Sequence, residues 1–361
     1  MKCLGDYYHI AFVCDDSSSN SMGRVLTLWE LAEQAGMCSV IVVANRERIW
    51  SPLEDSRMVE SIFAMDDLER DQFAKNVTVK VIVCVKPKAA TLNIALPWCK
   101  RDDIPLVLDI DDADVEAGLS FGYPIRAFAK SILRRREMKW LRWVQSNYAL
   151  YATTVSNPVL QEAYGGLLIP HVHKFDDDFV LNEPANPLSV AFVGTIRPHK
   201  GVSQLRESVA AISDRGFALT ITGEAPRDAR SWETWVSKNT LSEGRQIVAD
   251  AGIVAIPSLD MRYANSQLPS KLIEAMTMGK AIVASDLPPI RWALGDAGIL
   301  VAPGNVEGLS QAIASLEDQD LRRQYQERAR VRSRQMFAIE DYASAFREFL
   351  EKASGSTIAD R

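Results

Sequence analysis

The chain has 361 residues, 47% hydrophobic and 24% charged, with a formal net charge of −6. That length suits two domains with separate cores, and the composition excludes a fibrous or disordered chain. The acidic balance excludes nucleic acid as the main partner, because a phosphate backbone demands a basic footprint, and no window of about 18 consecutive apolar residues is present to span a bilayer.

The opening residues, MKCLGDYYHIAFVCDD, reach Asp15 and Asp16 before any apolar run long enough for a secretory leader, so no signal peptide is expected. The five cysteines are Cys3, Cys14, Cys38, Cys84 and Cys99, with no Cys-x-x-Cys among them. This spacing holds no zinc set, and buried reduced thiols in a cytoplasmic protein are expected.

In chain order, HIAFVC, SVIVVA, VKVIVCV, PLVLDI and YATTV read as strands. They are nearly continuous apolar runs, as strands covered on both faces by helices require. Helical stretches alternate with them; one, residues 24–36, ends on a glycine suited to a helix C-terminus. A polar, proline-bearing stretch at 173–187 has linker composition. The alternation then restarts with LSVAFVG, a helix over 201–215, FALTITG, AGIVAIP, KAIVAS and GILVAP, and residues 318–353 read as two helices. The fold class is therefore α/β. Two Rossmann-like domains, 1–182 and 187–336, are expected to face a central cleft, with the helix 337–353 packing back on the first.

Three features of the first half are candidates for function. In DDSSSNSMGR, Gly23 would let a loop approach a ligand or simply enter a helix. The DIDD run, Asp109 to Asp112, closes PLVLDI at the carboxyl end of a strand, where doubly wound sheets bind ligands. Asp109 and Asp111 fall on one strand face and Asp112 on the other. Asp111 and Asp112 are candidates to accept hydroxyl groups of a bound ligand; a metal-holding Asp-x-Asp and a solvated, helix-capping loop are the alternatives. Residues 126–144, RAFAKSILRRREMKWLRWV, form a basic helix with Trp140 and Trp143, which can lie on an anionic membrane surface or merely pack on a core.

The second half carries the denser pattern. Residues 268–313 read LPSKLIEAMTMGKAIVASDLPPIRWALGDAGILVAPGNVEGLSQAI. A helix start near Ser270 offers free N–H groups and a positive dipole end to a diphosphate. Lys271, Arg197 and Lys200 can add charge, and Glu274 can accept both hydroxyls of a ribose. Gly194 and Gly223 end strands and permit close approach of the backbone; Val236 and Ser237 are candidates to line a base.

This segment resembles the nucleotide-sugar domain of retaining glycosyltransferases of GT-B architecture, family 4, through Pro269-Ser270-Lys271-Leu272, Glu274, Met276, Gly279, Ser285-Asp286, Gly298 and Pro303-Gly304. AFVGTIRPHKGVSQL resembles the same family's V-G-x-x-x-P-x-K-G segment. The resemblance implies transfer of a hexose from a UDP- or GDP-linked donor without a metal or other cofactor. It implies donor binding at Gly194, Thr195, Gly223, Ser266, Leu268, Ser270, Lys271 and Glu274, with Lys200 and Arg197 stabilising the leaving diphosphate. Three departures stand out: Ser266 replaces the family's first glutamate, Thr195 replaces its usual arginine, and no histidine follows the strand that ends in DIDD. A nucleotide-sugar epimerase or phosphorylase shares the architecture, and a non-catalytic partner subunit is the alternative outside enzymes. Contact with a membrane through 126–144 is one expected way to reach a lipid-linked acceptor.

Overall fold

The run of β-branched residues in TVKVIVCV and its neighbours builds strands whose two faces are both dry. The computed structural model describes residues 7–64, 78–112, 131–175, 184–237 and 239–355, and groups them into two units. The first unit contains β1 (Tyr7–Asp16), α1 (Met22–Gln34), β2 (Ser39–Asn45), β3 (Ile62–Ala64), β4 (Thr78–Val85), α2 (Ala89–Asp102), β5 (Leu106–Ile110), α3 (Ser131–Asn147), β6 (Ala152–Val155), α4 (Pro158–Tyr164) and β7 (Leu167–Leu168). Its strands pair in parallel in the order β3-β2-β1-β4-β5-β6-β7. Alternate strand residues such as Ala11, Val13, Ile82, Cys84 and Leu108 enter one core together with Leu92 and Trp98 of α2. Leu141 and Val144 of α3 are buried in that same core, and Trp140 and Trp143, edge to face with each other, pack against it. The tryptophans expected as membrane anchors are thus turned to the core; residues 126–130 and the side chains of 131–137 lie outside the described residues.

The second unit contains β8 (Ser189–Phe192), α5 (Val202–Ala210), β9 (Ala218–Thr222), β10 (Glu233–Val236), α6 (Leu241–Asp250), β11 (Ile253–Ile256), α7 (Ser270–Thr277), β12 (Ala281–Ser285), α8 (Pro288–Leu294), β13 (Ile299–Val301), α9 (Val306–Ser315) and α10 (Gln319–Phe337). The sheet is parallel throughout, ordered β10-β9-β8-β11-β12-β13. Successive residues serve opposite faces: Ala191, Val254, Ile256, Ile282 and Ala284 enter one core, and Val190, Phe192, Ile253, Ala255 and Val283 the other. That period of two, with an apolar residue on both faces, accounts for the unbroken runs in the sequence.

The arginine-rich helix α10 fixes its neighbours by their carboxyl ends. Arg330 donates to Thr277 O at the end of α7 (2.6 Å), Arg332 to Trp292 O and Ala293 O in α8 (2.7 Å each), and Arg322 to Leu316 O after α9 (2.7 Å). Helix ends leave carbonyls without partners and carry partial negative charge, so cations are favoured there. Buried Lys280 does the same for α6, donating to Ala249 O and Ala251 O.

A last helix, α11 (Ile339–Ser354), groups with the first unit, where Phe346 and Leu350 are buried and Arg347 reaches Ala35 O after α1. The division between units falls after Val172, earlier than the expected boundary at 182–187, and after Ala338, two residues past the expected end at 336. His173 is already held in the second unit, its N–H donating to Phe337 O at 2.9 Å in a parallel bridge with Ala338. Residues 176–183 of the expected linker lie outside the described residues. Short strands β3 and β7 were not legible as strands, and Ser51–Asp55 group with the second unit, where Asp55 accepts a hydrogen bond from Ser242 Oγ at the start of α6.

The cysteines Cys14, Cys84 and Cys99 are buried free thiols, and Cys38 is half-buried. Burial pushes the Cys84 thiol up to about 12. No helix among the described residues is long and apolar enough to cross a membrane.

Candidate functional site

The order of the second sheet reverses between β8 and β11, and in such folds the loops at the carboxyl ends of the strands flanking that point hold ligands. The loop after β8 runs from Gly194 to Lys200. Its start is bracketed by one hydroxyl: Gly194 N–H donates to Thr222 Oγ1 (2.8 Å), and that hydroxyl donates to Gly194 O (3.0 Å). Its end turns through Gly201, whose φ is +66°; a Cβ there would stand 1.9 Å from Pro257 O, so only glycine fits. This turn places Lys200, whose ammonium donates to Gln267 Oε1 at 2.5 Å. Gln267 also donates to the Tyr263 hydroxyl at 3.3 Å.

Helix α7 starts at exposed Ser270 behind Pro269, which as N-cap residue supplies no side-chain acceptor for the first N–H groups. Such an uncapped start leaves N–H groups and a positive dipole end that can receive an anion. One turn further on, Glu274 is the fifth of eight residues, mid-helix rather than at the start, and is only 5% exposed. Its Oε1 accepts from Arg245 Nε of α6 at 3.1 Å and its Oε2 from the Lys271 ammonium. Burial pushes the Glu274 carboxyl up, but Lys271, then His173 and Arg245, outweigh it and hold the group below its ordinary range. Helix α6 is itself pinned by a capping box at Thr240 and Glu243 and by Lys280 at its other end.

Other expected donor contacts occupy different positions. Thr195 and Arg197 are exposed, and Arg197 makes no ion pair among the described residues. Ser266 is buried and donates to Tyr263 O at 3.3 Å, and Leu268 is 2% exposed within the core, so its side chain faces away from solvent. Gly223 has φ +150°, and a Cβ there would stand 2.4 Å from Ile196 Cδ1; the side chain of Ile196 therefore lies over it. Val236 accepts from Gly223 N–H at the end of β10, and Ser237 beside it is exposed.

In the first unit, the DIDD run is neither a solvated loop nor an open set of oxygen ligands. Asp109 is fully buried and forked by Arg24, through Nη2 at 2.7 Å and Nε at 3.0 Å; Thr154 Oγ1 adds a third donor at 2.8 Å. The strand ends at Ile110, so the expected alternation stops there. Asp111 and Asp112 both turn to the ammonium of Lys86, a residue after β4 with φ +50°. Asp111 Oδ1 also lies 3.5 Å from His171 Nε2 and 3.9 Å from Arg24 Nε, and accepts no hydrogen bond of good geometry. Burial pushes the Asp111 carboxyl up, yet Lys86, then His171 and Arg24, hold it well below its ordinary range. His171 Nδ1 lies 3.2 Å from Thr27 Oγ1. Gly23 sits inside the first turn of α1, not in a loop, against the Trp50 ring.

The structure thus joins Lys271 to Glu274 on α7, ties Lys200 to Gln267 three residues before that helix starts, and turns Asp111 and Asp112 to one ammonium at the end of β5. It adds five residues that sequence reasoning passed over: Gln267, Arg245, Arg24, Lys86 and His171. A charged residue beside an apolar strand or helix was the available signal for Arg24 and Lys86; Arg245 and Gln267 carried none.

Residues 187–319 match the family model described as Glycosyl transferases group 1. No curated protein matches the chain in sequence. Among solved structures, the HepE protein of Anabaena in complex with UDP-glucose is 15% identical, over 96% of this chain and all of that one, with a TM-score of 0.71. A glycosyltransferase of Rickettsia africae is 13% identical over 96% and 99% of the two chains, with a TM-score of 0.66. Sucrose-phosphate synthase of Thermosynechococcus elongatus is 14% identical over 96% and 98%, with a TM-score of 0.64. At these identities the likeness is one of fold: two parallel-sheet, Rossmann-like units, as in GT-B glycosyltransferases.

Proposed function

We propose that the chain is a retaining glycosyltransferase that moves a hexose from a UDP- or GDP-linked donor to an acceptor hydroxyl, without a metal. The observation that carries this is the grouping, in the unit that matches the group 1 family model, of an uncapped helix start, the ammonium groups of Lys200 and Lys271, and the buried, ionised Glu274. The α7 start and the cations bind the diphosphate, and Glu274 accepts the ribose hydroxyls.

In the reaction the bond from the sugar's anomeric carbon to the β-phosphate oxygen breaks as the acceptor oxygen bonds to that carbon. Charge grows on the leaving diphosphate, where Lys200, Lys271 and Arg197 stabilise it. The acceptor's proton passes to a β-phosphate oxygen on the same face, which accounts for retention without a carboxylate nucleophile. Asp111 and Asp112, both turned to Lys86, shape the end of β5 on the sugar or acceptor side rather than accept a hydroxyl directly.

Thermal melting with UDP, GDP, ADP and their sugars tests the reading: a matching diphosphate at 100 times its Kd stabilises the protein by about 2.7 kcal/mol. Transfer or donor hydrolysis then follows. Failure of every nucleotide to raise the melting temperature refutes it. A shift without turnover on any acceptor favours a sugar-nucleotide-binding partner subunit.

A further inference from the structure

The carboxylate assigned to ribose already carries a cation on each oxygen, Arg245 on Oε1 of Glu274 and Lys271 on Oε2. An ionised carboxylate has about four acceptor sites, so with one cation on each oxygen the two hydrogen bonds of a vicinal diol must be made beside both cations. A neutral diol competes poorly against an ammonium for a buried, ionised carboxylate, because charge-assisted bonds are the stronger.

The two cations are not equivalent. Arg245 approaches from a different helix, α6, while Lys271 is the second residue of α7, one turn before Glu274 and beside the uncapped start. Its ammonium rests over Gly244, where a Cβ would stand in ordinary contact with Lys271 Nζ at 3.8 Å. Lys271 is 23% exposed at its side chain and can swing toward the helix start without unburying itself from a core.

We propose that Lys271 is a two-position residue that makes ribose binding conditional on a diphosphate. This rests on the nucleotide-sugar reading and deepens it. Without ligand Lys271 closes Oε2 of Glu274. A diphosphate at the α7 start offers more negative charge than one carboxylate and draws the ammonium to itself. Oε2 then opens to the ribose hydroxyls, while Arg245 keeps Oε1 and the orientation of the carboxylate. The unit thereby discriminates against nucleosides and monophosphates more strongly than separate phosphate and ribose contacts would, since a ligand shifts an equilibrium by its differential affinity for the two states.

The test treats the two halves of the ligand as separate effectors. Calorimetric titration of the full chain measures uridine and guanosine affinity with and without saturating inorganic pyrophosphate. Pyrophosphate is expected to tighten the nucleoside by about tenfold in the wild type, within the usual range of coupling between sites. Lys271→Met is expected to bind the nucleoside without pyrophosphate as tightly as the wild type does with it, and to gain nothing from pyrophosphate. Lys271→Arg, which keeps the charge, retains the coupling and stands in if the methionine variant does not fold. A wild type indifferent to pyrophosphate overturns the proposal, as does unchanged coupling or weaker nucleoside binding in Lys271→Met. Binding of UDP or GDP without coupling defeats only this inference; no binding of any diphosphate defeats the nucleotide reading beneath it.

Discussion

Two charged clusters stand at carboxyl ends of parallel strands, one in each unit, and they treat their charges differently. In the first unit Arg24 and Asp109 are completely buried, and Lys86, Asp111, Asp112 and His171 are each below a tenth exposed. In the second, Glu274 is equally buried, but its partners Lys271 and Arg245 are 23% and 45% exposed at their side chains. A sealed cluster acts on the fold, because every charge in it depends on a neighbour to offset desolvation. A cluster whose cations reach water can exchange partners, which ligand binding requires.

The contrast predicts that substitution in the first cluster costs stability and substitution in the second costs binding. Arg24→Met leaves Asp109 buried without its cation and should lower unfolding free energy by about 3–5 kcal/mol in urea. A loss no greater than that of a surface substitution would remove the distinction. The acid response should be comparably visible. Asp111 and Glu274 are both held below their ordinary range, so their contribution is complete above the unfolded carboxylate values near pH 4 and is lost as pH falls through the folded ones. Urea midpoints measured downward from about pH 5 should therefore drop, and Asp111→Asn should flatten that limb; parallel limbs in the two proteins would contradict it. Glu274→Ala should weaken nucleoside diphosphate binding by about 10–100-fold, as expected for lost charged hydrogen bonds, with a smaller stability change than Arg24→Met. Equal losses of stability would erase the contrast from the other side. Smallest of all, Glu327→Ala breaks an exposed i, i+4 pair with Arg323 on α10 and should change stability by less than about 0.5 kcal/mol.

The fold was legible because its signal is local. HIAFVC, VKVIVCV and KAIVAS announce strands dry on both faces, and β1, β4 and β12 follow. The pattern around Ser270 and Glu274 likewise lies on one short helix, where spacing in sequence is spacing in space. β3 and β7 escaped because two or three residues make no period, and β10 because its four residues, Glu233–Val236, hold no continuous apolar run. The first cluster was half legible: DIDD marks the place, but Arg24 lies 85 positions from Asp109, and no spacing rule joins them.

What this chain's sequence determined alone is two successive α/β series, with the dense motif around Ser270 and Glu274 in the second, because alternation and helix position are set by neighbours along the backbone. Tertiary structure alone decided that the aspartates of DIDD are neutralised rather than solvated, that Gln267 holds Lys200, that Arg245 and Lys271 divide Glu274 between them, and that the arginines of α10 close helix ends. Each of these is a pairing of charge or dipole across the fold, and its strength depends on the distance and water that folding leaves between partners.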